Sequence, residues 1–319
     1  MLLIIQIPCW NEEGSLKETL AQLPRQLPGV DRIEWLVIDD GSTDRTLEVA
    51  RACGVDHTVP LGRHRGLAFG FVAGIRRCVE LGADIIVNTD ADNQYCAQDI
   101  VHLVQPILEG KAEMVVGARP ISEMEEFSPL KKRLQQLGSW IMRHASQTDV
   151  PDAPSGFRAL SRSAAQRISV FSKYSYTMET LIQAGQKNLA VTWVPVHVNK
   201  VMRPSRLFTS IGAYVRKSGL TILRIFIVYR PFRFFGTLSG CIGLLGALIF
   251  LRYLYFFVTG HGQGYVQSLL LGVLLVMLSG MVLIAGLLAD LTSVNRQLLE
   301  DQKYEMALLR EEVRRLGNG

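Results

Sequence analysis

The chain has 319 residues, is 48% hydrophobic and carries a net charge of +5, a length that admits about two domains. Eight of its basic residues and none of its acidic ones lie between Lys200 and Arg233, leaving 26 basic against 29 acidic elsewhere. The positive charge is therefore local, which argues against a general nucleic-acid binder and for a membrane surface or an anionic ligand. Five cysteines (Cys9, Cys53, Cys78, Cys96 and Cys241) form no C-x-x-C pair, which speaks against a disulfide framework and a zinc site.

Leu2–Ile7 is a β-branched-rich apolar run stopped by Pro8 and followed by Glu12-Glu13, so the N-terminus reads as a first strand and not as a signal peptide. That keeps the soluble part in the cytoplasm. Asn11 or Ser15 caps an expected helix over about 15–24, with Leu16, Leu20 and Leu23 at helical spacing. Glu34–Ile38 is a second strand, and it ends in Asp39-Asp40-Gly41-Ser42-Thr43-Asp44, a turn with good N-cap residues for a helix through Cys53. A short strand is expected at Val55–Val59, a small-residue helix at Leu67–Leu81 and a strand at Ile85–Asn88. A helix from Ala97 to Leu108 and a strand at Met114–Val116 follow. This alternation predicts an α/β fold with a mostly parallel sheet covered on both faces.

Ser128-Pro129 opens a helix with an apolar stripe of Leu130, Leu134, Leu137 and Ile141. A Pro/Gly/Asp-rich loop, Asp149–Gly156, leads to Phe157-Arg158-Ala159-Leu160. Tyr176 opens a further helix, and Val191–Val198 is the last strand. Basic residues then punctuate an apolar stretch over 207–233, as in helices lying in a membrane interface. The segments 234–258 and 266–289 are each long and apolar enough to span a bilayer. Gly236, Gly240, Gly243 and Gly246 would let the two helices approach. The loop between the spans has no Lys or Arg, whereas Arg230, Arg233 and Arg296 flank the outer ends, so both termini are expected in the cytoplasm. In the tail, 290–319, Leu299, Gln302, Met306, Leu309, Val313 and Leu316 recur at alternating spacings of three and four, which favours self-association.

The chemistry concentrates at strand ends. Polar clusters follow Ile7, Ile38 and Val87, and the outer edge beyond the strand C-termini is where open α/β sheets bind ligands. After Val87 come Asp90 and Asp92, at i and i+2 and so on one face of an extended segment, with Gln94 behind them. Hard oxygen donors of this kind suit Mg²⁺ or Mn²⁺ together with substrate phosphates.

Read together, Pro8-Cys9-Trp10-Asn11-Glu12, Val37-Ile38-Asp39-Asp40-Gly41-Ser42-Thr43-Asp44, Asp90-Ala91-Asp92 and Ser155-Gly156-Phe157-Arg158 resemble glycosyltransferase family 2. More narrowly they resemble its polyprenyl-phosphate glycosyltransferases, relatives of dolichyl-phosphate mannosyltransferase and of bacterial enzymes that load sugars onto undecaprenyl phosphate. The resemblance implies a GT-A domain over 1–206, ahead of the interfacial helices, the two spans and the heptad tail. It implies non-processive transfer of one sugar from a UDP- or GDP-linked donor to polyprenyl phosphate, with inversion, at the cytoplasmic face of a bacterial membrane. By the same resemblance Pro8, Trp10, Glu12, Asp39, Asp40 and Asp90 would hold the nucleotide, and Asp90, Asp92 and Gln94 the metal. Arg119, Ser155, Arg158, Arg203 and Arg206 would meet the acceptor phosphate or donor diphosphate. Asp152, then Glu179, would be the carboxylate nearest the acceptor, with Asp92 the third catalytic candidate. His64 stands where relatives usually have Asn. Transfer to a diacylglycerol or ceramide hydroxyl, or a non-catalytic membrane scaffold, are the competing readings.

Overall fold

The computed structural model describes residues 1–120, 129–168, 170, 176–199, 223, 227, 231–260 and 265–317, with backbone alone at 129–135 and 137 and at scattered positions beyond 296. Two compact units result, one of residues 1–219 with 307–319 and one of residues 220–306.

In the first unit seven strands form one sheet: β1 (Leu2–Cys9), β2 (Arg32–Asp39), β3 (His57–Pro60), β4 (Ile85–Asn88), β5 (Met114–Ala118), β6 (Arg158–Ser161) and β7 (Val191–Pro195). Their order is β3-β2-β1-β4-β6-β5-β7. Every pairing is parallel except the two made by β6. Its helices are α1 (Leu16–Gln22), α2 (Thr46–Ala52), α3 (Leu67–Glu80), α4 (Ile100–Leu108), α5 (Pro129–Ser146), α6 (Arg162–Arg167) and α7 (Tyr176–Gln186). The expected α/β class and mostly parallel sheet are what the chain forms.

Both sheet faces are covered, as continuous apolar strands require. Leu3, Ile5 and Ile7 of β1 join Leu16, Leu20, Ile100, Leu103 and Phe157 in the main core. Ile4 of β1, Leu36 and Ile38 of β2, and Phe71 and Ile75 of α3 are buried as well. Glycine allows the close approach of α3: a Cβ on Gly74 would lie 2.7 Å from Ile38 Cδ1 and closer still to Gln6 Oε1.

The sequence reading assigned neither β6 nor α6. Strand β6 pairs Asn88 with Arg158 on one side and Val116 with Arg158 on the other. Because β6 runs opposite to its neighbours, its N-terminal end meets the C-terminal ends of β4 and β5. The loop 149–157 is thereby delivered to the same sheet edge as Asp90 and Arg119.

The second unit contains α8 (Pro231–Val258) and most of α9 (Val266–Gly317). Pro231–Val258 and Val266–Arg296 are long and apolar enough to cross a membrane. The two helices pack closely around small residues. Ser239 Oγ donates to Ser279 O and Ser279 Oγ to Ser239 O, each at 2.9 Å, and a Cβ on Gly272 would stand 3.2 Å from Gly246 O. Gly243 and Gly246 face the partner helix as expected, whereas Gly236 and Gly240 face open space. The expected interfacial helices of 207–233 fall largely outside the described residues.

Candidate active site

The C-terminal ends of β1, β2, β4 and β5 and the start of β6 converge on one edge of the sheet. Beyond β1 the chain turns through Asn11, whose φ of 53° is left-handed. Asn11 is tied to the turn after β2: its N–H donates to Ser42 Oγ at 2.9 Å and its Oδ1 accepts from Thr43 N–H at 2.8 Å. Glu12 N–H donates to Thr46 Oγ1 at 2.9 Å, and Ser15 Oγ donates to Glu12 Oε2 at 2.8 Å. Pro8 is buried beneath this turn, and Trp10 projects from it with 39% of its surface exposed.

The two aspartates after β2 have different surroundings. Among the described residues only Ser42 N–H reaches Asp39, at 3.1 Å on Oδ1. Asp40 instead holds the loop before α3, accepting from Arg65 N–H and Gly66 N–H at 2.8 Å each. His64 Nδ1 lies 2.8 Å from the same carboxylate, and the His64 ring stacks on Trp10 with centroids 4.2 Å apart. The sequence reading gave Asp40 to the nucleoside. Both of its oxygens are engaged in the fold, by the loop before α3 and by the His64 ring that stacks on Trp10.

Asp90 stands just beyond β4, against the start of β6. A Cβ on Gly156 would lie 3.2 and 3.3 Å from the Asp90 oxygens and 2.8 Å from Tyr176 Oη, so only glycine fits there. Burial pushes the Asp90 pKa up to about 7, with Asp92 and Glu12 adding to the shift and Arg119 opposing it. Asp92 caps its own loop by accepting Gln94 N–H at 3.1 Å, and Asn93 takes a left-handed φ of 58°. Residues after β7 brace that loop from outside: Asn199 Nδ2 donates to Asn93 O at 3.0 Å and Asn199 N–H to Gln94 O at 2.9 Å. Carboxylates that repel one another in a partly desolvated pocket are the donor set a divalent cation would relieve, and Asp90, Asp92 and the Gln94 amide carbonyl can each offer it an oxygen. The residues fit such an ion.

Underneath runs a buried polar column absent from the sequence reading. Gln6 Nε2 donates to Asn88 Oδ1 at 2.8 Å, and Asn88 Nδ2 donates to Gly156 O at 2.8 Å and to Tyr176 Oη at 3.1 Å. From the other side Gly156 N–H donates to Tyr95 Oη at 3.2 Å. Tyr95 stacks on Phe157, and Tyr176 on Phe71. Gly156 is thus clamped on both of its backbone groups. The only hint in sequence was an asparagine closing an apolar strand.

Three expected phosphate ligands are placed otherwise. Arg158 is fully buried, and its guanidinium donates to the carbonyls of Ser155, Thr177 and Ala153 at 2.7–2.8 Å and to Thr180 Oγ1 at 2.7 Å. Burial lowers its pKa to about 10, against the pull of Tyr176, Tyr95 and Asp152. A fully buried arginine with four of its five N–H groups on protein oxygens serves as a strut for the 153–158 turn. Ser155 is also fully buried beneath the edge. Arg119 pairs with Asp152, the carboxylate expected at the acceptor: Nε to Oδ2 is 2.7 Å, Nη2 to Oδ1 is 3.1 Å, and Arg119 N–H adds a bond of 3.2 Å to Oδ2. Asp152 has no exposed surface, and both of its carboxylate oxygens are engaged by the Arg119 guanidinium. Glu179, in the first turn of α7, is 4% exposed. Arg203 and Arg206 lie outside the described residues.

Residues 4–169 match the family model described as glycosyl transferase family 2. The chain is 31% identical over 217 residues to a UDP-N-acetylglucosamine–dolichyl-phosphate N-acetylglucosaminyltransferase of Methanococcus voltae, covering 61% of this chain and 84% of that protein. It is 27% identical over 206 residues to an undecaprenyl-phosphate mannosyltransferase of Micrococcus luteus, covering 61% of this chain and 83% of the relative. Among solved structures, glucosyl-3-phosphoglycerate synthase from Mycobacterium tuberculosis, in complex with Mn²⁺, uridine diphosphate and phosphoglyceric acid, superposes with a TM-score of 0.51. That superposition has 20% identity and covers 69% of this chain and 78% of that one; it shows the shared GT-A-like fold.

Proposed function

Because the chain belongs to glycosyl transferase family 2 and is a glycosyltransferase, we propose that it moves one sugar from a nucleotide-sugar to a polyprenyl phosphate at the cytoplasmic face of a membrane. The acceptor class is carried by the likeness to enzymes named for dolichyl and undecaprenyl phosphate. One structural observation supports it independently. A neutral lipid hydroxyl needs a free base near the anomeric carbon, yet Asp152 is locked to Arg119 and Glu179 is buried. A phosphate acceptor is already an anion at neutral pH and needs no such base.

In this reading a phosphate oxygen of the acceptor attacks the anomeric carbon as the bond to the nucleoside diphosphate breaks, so configuration inverts in a single displacement. The Trp10–His64 stack and Asp39 hold the nucleoside, UDP- or GDP-linked. Asp90, Asp92 and Gln94 would hold Mg²⁺ or Mn²⁺, which would offset charge developing on the leaving diphosphate. Asp152 orients Arg119 at the edge beside Asp90. The two apolar helices anchor the enzyme in the membrane, a bacterial inner membrane in this proposal, with both termini on the cytoplasmic side.

Incubating the detergent-solubilised full chain with labelled UDP- and GDP-sugars, Mn²⁺ and either undecaprenyl phosphate or diacylglycerol tests the proposal. The expected product is an acid-labile polyprenyl-phosphate sugar, lost in excess EDTA. Labelled diacylglycerol instead would assign the neutral acceptor, and no product from any donor would leave a scaffold.

A further inference from the structure

Beyond its membrane-length stretch, α9 continues without a break to Gly317. Leu299, Gln302, Met306, Leu309, Val313 and Leu316 occupy alternate a and d positions of a heptad repeat. Of these, Leu299, Met306, Leu309 and Val313 are 59, 50, 59 and 68% exposed, so these four apolar positions lie uncovered in the single chain. We propose that it binds a second copy of this chain as a parallel two-stranded coiled coil.

Charge selects the partner and its direction. With Leu299 at a, the g positions hold Glu305 and Glu312 and the e positions Lys303 and Arg310. In a parallel pair, g faces e of the following heptad, so Glu305 of each copy meets Arg310 of the other. In an antiparallel pair g faces g and e faces e, which sets glutamates against glutamates and cations against cations. Two copies anchored in one membrane with the same topology also send their α9 extensions off in the same direction. Three heptads are marginal for a free peptide, but here the helix is already nucleated by the stretch before it. Confinement to a bilayer raises the effective concentration further. Gln302, at a d position, is a polar core residue of the kind that fixes register.

The test uses the full chain in nanodiscs, in a Cys241→Ser background because Cys241 is exposed. Leu299→Cys and Val313→Cys should each form inter-chain disulfides under mild oxidation, and Glu311→Cys, on the outer f position, should not. Glu305→Arg should lower the Val313→Cys cross-link yield about tenfold, since two symmetric pairs turn repulsive. Combining Glu305→Arg with Arg310→Glu should restore it. Equal yields at 299, 311 and 313, cross-links at neither seam position, or failure of the double reversal to rescue would each overturn the proposal. Retained transferase activity in every variant certifies folding.

Discussion

Arg119 and Asp152 hold each other at the end of β5 through a two-pronged ion pair of 2.7 and 3.1 Å, with Asp152 wholly shielded from water and Arg119 nearly so. A pair so placed is costly to break, because removing one partner strands the other charge. Arg119→Ala and Asp152→Ala should each destabilise the domain by about 3–5 kcal/mol. The double variant should cost far less than the sum, a coupling that denaturant melts of the four proteins would measure. A base at Asp152 predicts the opposite pattern, with kcat lost and the melting midpoint unchanged.

The carboxylates after β4 give a second expectation. Asp90 sits among Asp92 and Glu12 in a pocket that disfavours its charge. Asp90→Asn should therefore stabilise the metal-free protein, on the order of 1–3 kcal/mol. The same change removes an oxygen ligand, so Mn²⁺ should raise the melting temperature of the wild type and not of the variant. A variant that still responds fully to Mn²⁺ would take Asp90 out of the ion's coordination.

Much of this edge was legible in the sequence, for a physical reason. β1, β2 and β4 are contiguous apolar runs, each ending abruptly in carboxylates, and a parallel strand buried on both faces leaves that signature. Strand β6 leaves none. It is four residues long, opens with a charged side chain and owes its place to a fold-back between β4 and β5. The burial of Arg158 was hidden for the same reason. Its acceptors come from Ala153, Ser155, Thr177 and Thr180, and only the tertiary fold brings those two segments together. Local sequence shows an arginine two residues after the Ser155-Gly156 turn, which resembles a phosphate site.

Asp39 and Asp40 are adjacent in sequence and separable in experiment. Asp40→Asn loses an acceptor for one of two loop amides and for His64, and should cost about 1–3 kcal/mol of stability while weakening nucleotide binding. Asp39→Asn keeps an oxygen for Ser42 N–H, so it should weaken nucleotide binding with the melting temperature held. Calorimetric titration of UDP and GDP alongside thermal melts distinguishes them. Equal losses of stability in both would mean that Asp39, too, serves the fold.

The acceptor phosphate remains to be matched to a cation. Arg158 is fully buried with its guanidinium on protein oxygens, and Arg119 spends its Nε and one Nη2 hydrogen on Asp152, which makes the other two expected arginines the stronger candidates. These are Arg203 and Arg206, at the start of the basic segment that precedes Pro231–Val258. A polyprenyl phosphate keeps its tail in the bilayer and its head at the interface, and a segment with eight basic residues and no acidic ones suits that boundary. Losing one bidentate contact to a charged group costs about 1.5–3 kcal/mol, roughly a tenfold to hundredfold loss in affinity. Arg206→Ala is therefore expected to raise the KM for undecaprenyl phosphate by that factor and to leave the nucleotide-sugar KM nearly unchanged. Arg206→Lys should recover only part of the loss, because lysine keeps the charge but not the planar fork. Kinetics with each substrate varied in turn decides the assignment. A rise in the donor KM would move Arg206 to the diphosphate and leave Arg203 as the acceptor's cation.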